Sequence, residues 1–156
     1  FGLGVALDLG GDDSRAGGRT SLGAGGHYGI GLLVDAQGTD RYTPSGPKYT
    51  VSGTYDRSVS LLLDGGTGSD TYDLTRSTGL GDAEGESWSL FIDEGGADRY
   101  SGQSGLGRGT PDSLGLFFDL AGADTYDTSS ETPTGTTSGR GNGRTIRATG
   151  SLFQDR

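Results

Sequence analysis

The chain repeats one short phrase, and that repetition limits its possible folds more than any other property. At 90–100 the phrase is "LFIDEGGADRY": apolar residues running into an Asp, a Gly-rich turn, a second Asp and an aromatic. It returns as "LLVDAQGTDRY" (32–42), "LLLDGGTGSDTY" (61–72) and "LFFDLAGADTY" (116–126), with a degenerate "VALDLGGDDSR" at 5–15. Aligned on the first Asp, the anchors are Asp8, Asp35, Asp64, Asp93, Asp119 and Asp155, at spacings of 27, 29, 29, 26 and 36 residues. The long last interval carries a Thr/Ser/Gly-rich insertion around 128–142. Periods of this size mark repeat architectures, in which each repeat is one supersecondary unit buried by its neighbours.

Reading backward from the anchors gives columns. One residue before stand Leu7, Val34, Leu63, Ile92, Phe118 and Gln154; three before stand Val5, Leu32, Leu61, Leu90, Leu116 and Leu152. Five before stand Leu3, Ile30, Val59, Trp88, Leu114 and Gly150, while four before only Gly or Ser occurs. A period of two identifies a β-strand with one buried face. The expectation is that the columns through Leu61 and Leu63 face the core, with Trp88 beside them. The column two before the anchor, Leu33, Leu62, Phe91, Phe117 and Phe153 after a leading Ala6, then points to the opposite face. A stacked apolar stripe there reads as a protein–protein interface.

Each repeat thus holds a strong strand, a Gly/Asp turn, a short second strand through Tyr42, Tyr72, Tyr100 or Tyr126, and a return often marked by Gly-x-Gly (at 23, 79, 105 and 141). No helix of useful length is signalled. The predicted fold is all-β: a parallel β-solenoid (β-helix) of about five coils of 26–29 residues. Its rival is an antiparallel sandwich or propeller built of hairpins. The 156 residues read as a single domain, 1–156, or as a window from a longer array.

Only 29% of the residues are hydrophobic and 33 are Gly, so the core must be thin and its cost recovered by repetition. A formal net charge of −9 opposes nucleic acid as a partner, because phosphate binding needs a basic footprint. The absence of Cys removes disulfides as a staple. No apolar run approaches the ~20 residues of a membrane-spanning helix.

The turns carry the chemistry. In a solenoid, the first and second Asp of each repeat form columns of like charge, repelling by roughly 1 kcal/mol per neighbouring pair in water and by more when shielded. Calcium between rungs, pairing with Arg41 and Arg99, or hydrogen bonds from the turn amides would relieve this. Alternatively each Asp closes its own turn as an Asx cap. The candidate metal ligands are Asp35, Asp40, Asp64, Asp70, Asp93, Asp98, Asp119 and Asp124. Catalysis fits less well: paired carboxylates serve glycoside hydrolysis, but a catalytic constellation is asymmetric, whereas these Asp recur in every repeat. The single His27 has no Cys or second His to work with and reads as a solvated loop residue.

"GGTGSDTYD" at 65–73 resembles the nonapeptide of RTX calcium-binding β-rolls, Gly-Gly-x-Gly-x-Asp-x-(large apolar)-x. The other copies share its Gly-x-Asp core. More broadly, "GIGLLVDAQGTDRY" and its relatives are similar to Gly/Asp-rich repeat arrays of bacterial surface proteins. The resemblance implies secretion, with calcium held between successive turns by Asp side chains and backbone carbonyls. Two functions are therefore expected. One is a non-catalytic extracellular or cell-surface structural protein that self-associates into a homo-oligomer or filament, with a cell-surface glycan as a further partner. The other is a calcium-binding, RTX-like secretion or adhesion module.

Overall fold

The computed structural model describes residues 1–128, 145–148 and 150–156. Fourteen strands follow in chain order: β1 (Leu3–Asp8), β2 (Ser14–Gly17), β3 (Gly25–Gly26), β4 (Ile30–Asp35), β5 (Arg41–Pro44), β6 (Val51–Tyr55), β7 (Val59–Asp64), β8 (Thr71–Glu84), β9 (Trp88–Asp93), β10 (Arg99–Ser104), β11 (Leu114–Asp119), β12 (Thr125–Thr128), β13 (Thr145–Ala148) and β14 (Ser151–Asp155). Among the described residues there is no helix, and so none long and apolar enough to cross a membrane. The insertion beyond Thr128, and with it the Gly-x-Gly at 141, lies outside the described residues.

The chain winds as a parallel β-solenoid. The first sheet runs β1-β4-β7-β9-β11-β14, every neighbour parallel, and ends on β13, which pairs antiparallel with β14. Its register is the one the anchors dictate: Asp8, Asp35, Asp64, Asp93, Asp119 and Asp155 stand opposite one another from strand to strand. The second sheet runs β2-β5-β8-β10-β12, with Tyr42, Tyr72, Tyr100 and Tyr126 in register. The third side is shorter, pairing β3 with β6 and β6 with the far end of β8. Four turns separate β1 from β11, and β14 adds a further strand.

The facing of the first sheet is the reverse of the expectation. Leu33, Leu62, Phe91, Phe117 and Phe153 are buried at 0–2% exposure and form the core with the tyrosines, so they are not an outward interface. Leu61 and Leu63 lie half-buried on the outer face, and Trp88 is 63% exposed rather than core. The reason lies at the strand end. The anchor Asp side chains turn into the corner with the tyrosines, and alternation then carries inward the residues two and four positions earlier. The Gly/Ser column is inward because another part of the coil presses on it: a Cβ on Gly31 would meet the Ala24 carbonyl at 2.2 Å.

Inside, aromatic rings stack up the axis. Tyr42, Tyr72, Tyr100 and Tyr126 lie nearly parallel with centroids 4.9 Å apart. Phe91, Phe117 and Phe153 form a second stack meeting the first edge to face. Aromatic pairs in these geometries contribute about 0.5–1.5 kcal/mol beyond their burial. A 29%-hydrophobic chain thus obtains a continuous, narrow core.

Candidate metal centre in the carboxylate corner

The corner between the first and second sheets is built by the repeated turn. Each strong strand ends on an inward Asp, the Gly-rich turn reverses the chain, and the second Asp opens the strand that carries the tyrosine. Gly is required in this turn because the coils touch there. A Cβ on Gly68 would sit 1.5 Å from the Gly38 carbonyl oxygen, and one on Gly96 would sit 1.8 Å from that of Gly68.

The two Asp columns bond differently. The second Asp reaches back across the coils: the amides of Asp13, Asp40, Asp70 and Asp98 donate to Oδ1 of Asp40, Asp70, Asp98 and Asp124, at 2.5–2.8 Å. The first Asp accepts from the tyrosines. Tyr72 Oη donates toward Asp64 at 2.5 Å and lies 2.8 Å from Asp93, while Tyr100 and Tyr126 reach Asp93 and Asp119 at 3.0 and 2.9 Å. Asp8 and Asp93 also accept from the amides of Gly10 and Gly95, which are Asx caps closing their own turns. Capping within the turn therefore accounts for only part of the set.

The eight candidate ligands converge into three groups: Asp35, Asp40 and Asp64; Asp64, Asp70 and Asp93; Asp98, Asp119 and Asp124. In each, one ligand atom per residue lies within 4.8 Å of the others, and the residues are at most 8% exposed. These buried Asp clusters could hold a metal ion. Several of their oxygens accept no hydrogen bond: Oδ1 of Asp35, Asp64 and Asp119, and Oδ2 of Asp40 and Asp98. An unsatisfied buried acceptor is costly.

Their proton affinities reflect the same crowding. Burial raises Asp64 to about 8 despite the tyrosine hydrogen bond, and the carboxylates of Asp70 and Asp93 push the same way. Burial and then Asp93 raise Asp98 to about 9, and burial raises Asp70 to about 7. Asp119, Asp93 and Asp40 are also raised, first by burial.

At the first coil the sequence places Arg15 where the others have Tyr, in register with Tyr42. Its Nη2 lies 3.0 Å from Asp8 and 3.6 Å from Asp13, and it donates to Asp35. Asp8, Asp13 and Asp35 occupy the places that Asp35, Asp40 and Asp64 take one coil on. A cation thus already sits in the first such position, supplied by the chain. Its signal in the sequence was the single failure of the Gly-x-Asp-x-Tyr pattern.

Arg41 and Arg99 do not neutralise the columns. They pair on the outer face with Asp73 and Asp127, at 3.5 and 3.1 Å. His27 is mostly exposed and lies 2.7 Å from Asp56. Comparison with family models, curated proteins and solved structures returned no significant match.

Proposed function

We propose that the chain is a non-catalytic structural module of the extracellular space, a β-solenoid rod whose coils are joined by calcium held in the carboxylate corner. The observation that carries this reading is the three buried Asp groups with oxygens that accept no hydrogen bond. Ionised, their eight Asp carry eight negative charges; three divalent ions would return six positive ones. Three carboxylates bring up to six oxygens on a Gly-rich turn, which suits calcium's preference for many oxygen ligands in adaptable geometry. Magnesium retains several waters, for which residues so buried leave little room. Zinc prefers His and Cys, and the chain has one His, remote on Asp56, and no Cys.

The Gly-x-Asp core that these turns share with secreted calcium-binding repeats supports the placement outside the cell. Two of the groups repeat one constellation, the first and second Asp of a coil with the first Asp of the next, and the third draws on the same two columns in an offset combination. This recurrence supports a structural rather than catalytic role. A rival reading has the corner neutralised by protons, favoured by the raised affinities of Asp64 and Asp98.

Calorimetric titration of the metal-free protein with calcium at pH 7.5 separates the two. Binding of about three ions per chain is expected, one for each group. Because Asp64 belongs to two groups, Asp64→Asn should leave about one. Absence of binding heat, together with a melting temperature indifferent to EDTA, would sink the calcium reading and leave the proton ladder.

A further inference from the structure

The two long sheets share a core but present opposite outer faces. Outside the second sheet, ion pairs of Arg41 with Asp73 and Arg99 with Asp127 face water. Outside the first, the positions one, three and five before each anchor are apolar on all five strands β1, β4, β7, β9 and β11, and none of these fifteen side chains is buried. Leu3 is 69% exposed and Trp88 63%. On β14 the pattern lapses, with Gln154 and Gly150 in two of the three columns.

We infer that this face is covered by a second copy of the same chain, through a two-fold axis lying along β7. The size fits. Five strands ~4.8 Å apart and six residues rising ~3.3 Å each span roughly 500 Å², so a pair covers roughly 1,000 Å² before side-chain relief is counted. That is the threshold of specific association. The shapes fit as well. An axis along β7 keeps the strand direction and reverses the coil order, so β9 of one copy faces β4 of the other and β11 faces β1. The two bulkiest residues then meet smaller ones: Trp88 lies against Ile30, and Phe118 against Leu7. Val59, Leu61 and Leu63 meet their own counterparts on the axis, as an isologous interface requires. β14, with its polar and glycine positions, falls outside the match.

Sedimentation across a concentration series, in calcium buffer, reads the oligomeric state. A dimer is expected, converted to monomer by Leu61→Arg on the axis, with the β-rich circular dichroism unchanged. Should that variant fail to fold, cross-linking decides the question instead, because the chain has no Cys of its own. Sheets ~10 Å apart put a direct disulfide out of reach, so a short bismaleimide is the reagent. Leu61→Cys should cross-link to a dimer, and Leu152→Cys, outside the match, should not. A monomer at high concentration, or equal cross-linking at both sites, overturns the inference. So does a monomer that floats with neutral phosphatidylcholine vesicles, which would give the face to lipid.

Discussion

The first coil and the coils above it solve the same electrostatic problem by different means. Around Asp8, Asp13 and Asp35 the chain places the Arg15 guanidinium, a fixed charge held by short contacts to its acids. Around Asp64, Asp70 and Asp93 it places Tyr72, whose hydroxyl donates one proton among several carboxylates and carries no charge. Arg is charged at every accessible pH, so the first position has one built-in counter-charge under all conditions. The inner positions have no such built-in charge, and on the reading proposed above the calcium or protons that fill them would come from solution. One fold therefore contains both a permanent and a conditional version of the same corner.

Calcium removal should break the comparison open most widely. A site filled a hundredfold above its Kd stabilises by about 2.7 kcal/mol. With three sites, and ~2–4 °C per kcal/mol for a chain of this length, EDTA should lower the melting temperature by on the order of 20 °C. Hydrogen exchange would sharpen the contrast: amides of β7, β9 and β11 should lose protection, while the β1–β4 pairing beside Arg15 changes least. Uniform loss along the rod would refute the distinction.

Next in size is Arg15 itself. Arg15→Leu leaves the buried Asp35 without its cation and should cost roughly 3 kcal/mol in chemical denaturation. Arg15→Tyr should suffer the same loss in EDTA but recover with calcium, binding one more ion than the parent. Equal behaviour of the two variants in calcium would show that the tyrosine coils are not cation sites.

The pH response is smaller and has a definite sign. Asp64, Asp70 and Asp98 bind protons more tightly folded, at about 8, 7 and 9, than an unfolded Asp does at about 3.9. Between those limits the native state holds more protons, so stability falls as pH rises. In EDTA, denaturation midpoints should be highest near pH 4 and fall as the pH rises, most steeply between about pH 4 and 7 and levelling off near pH 9. In calcium the decline should flatten, and binding should release protons. A midpoint that climbs with pH in EDTA would contradict these affinities.

Smallest are the tyrosine hydroxyls. Tyr72→Phe removes bonds to Asp64 and Asp93 and should cost about 1–3 kcal/mol in thermal melts. Tyr100→Phe removes the bond to Asp93 alone and should cost less. An inverted order would mean that ring stacking, not the hydroxyl, decides the difference.

The register was legible because identical residues recur at the same offset: a slip of one position would have broken five columns together. All eight Asp named from the repeat lie in the three groups, since a parallel coil stacks whatever the period aligns. Facing was not legible from hydrophobicity, because both faces of the strong strand are apolar. Leu61 and Leu62 look alike in a sequence, yet one is half-exposed and the other buried. The Gly/Ser column held the answer. Ser60 and Ser89 bond to each other at 2.9 Å on the inward face, and Gly31 and Gly115 lie against backbone carbonyls. Small residues marked close approach, not solvent. Arg15 was visible as an exception, but its partners were not, because Asp35 belongs to the following coil.

The reach of each second Asp into the preceding coil has a mechanical consequence. Strands in this rod lie across its axis, so tension between its ends loads the joints in series and peels coils off singly instead of shearing a whole sheet. Each joint from Asp13 to Asp124 is crossed by a carboxylate–amide bond as well as by the ladder. A pulled rod should therefore yield in steps of one coil, 26–29 residues of released chain at a time.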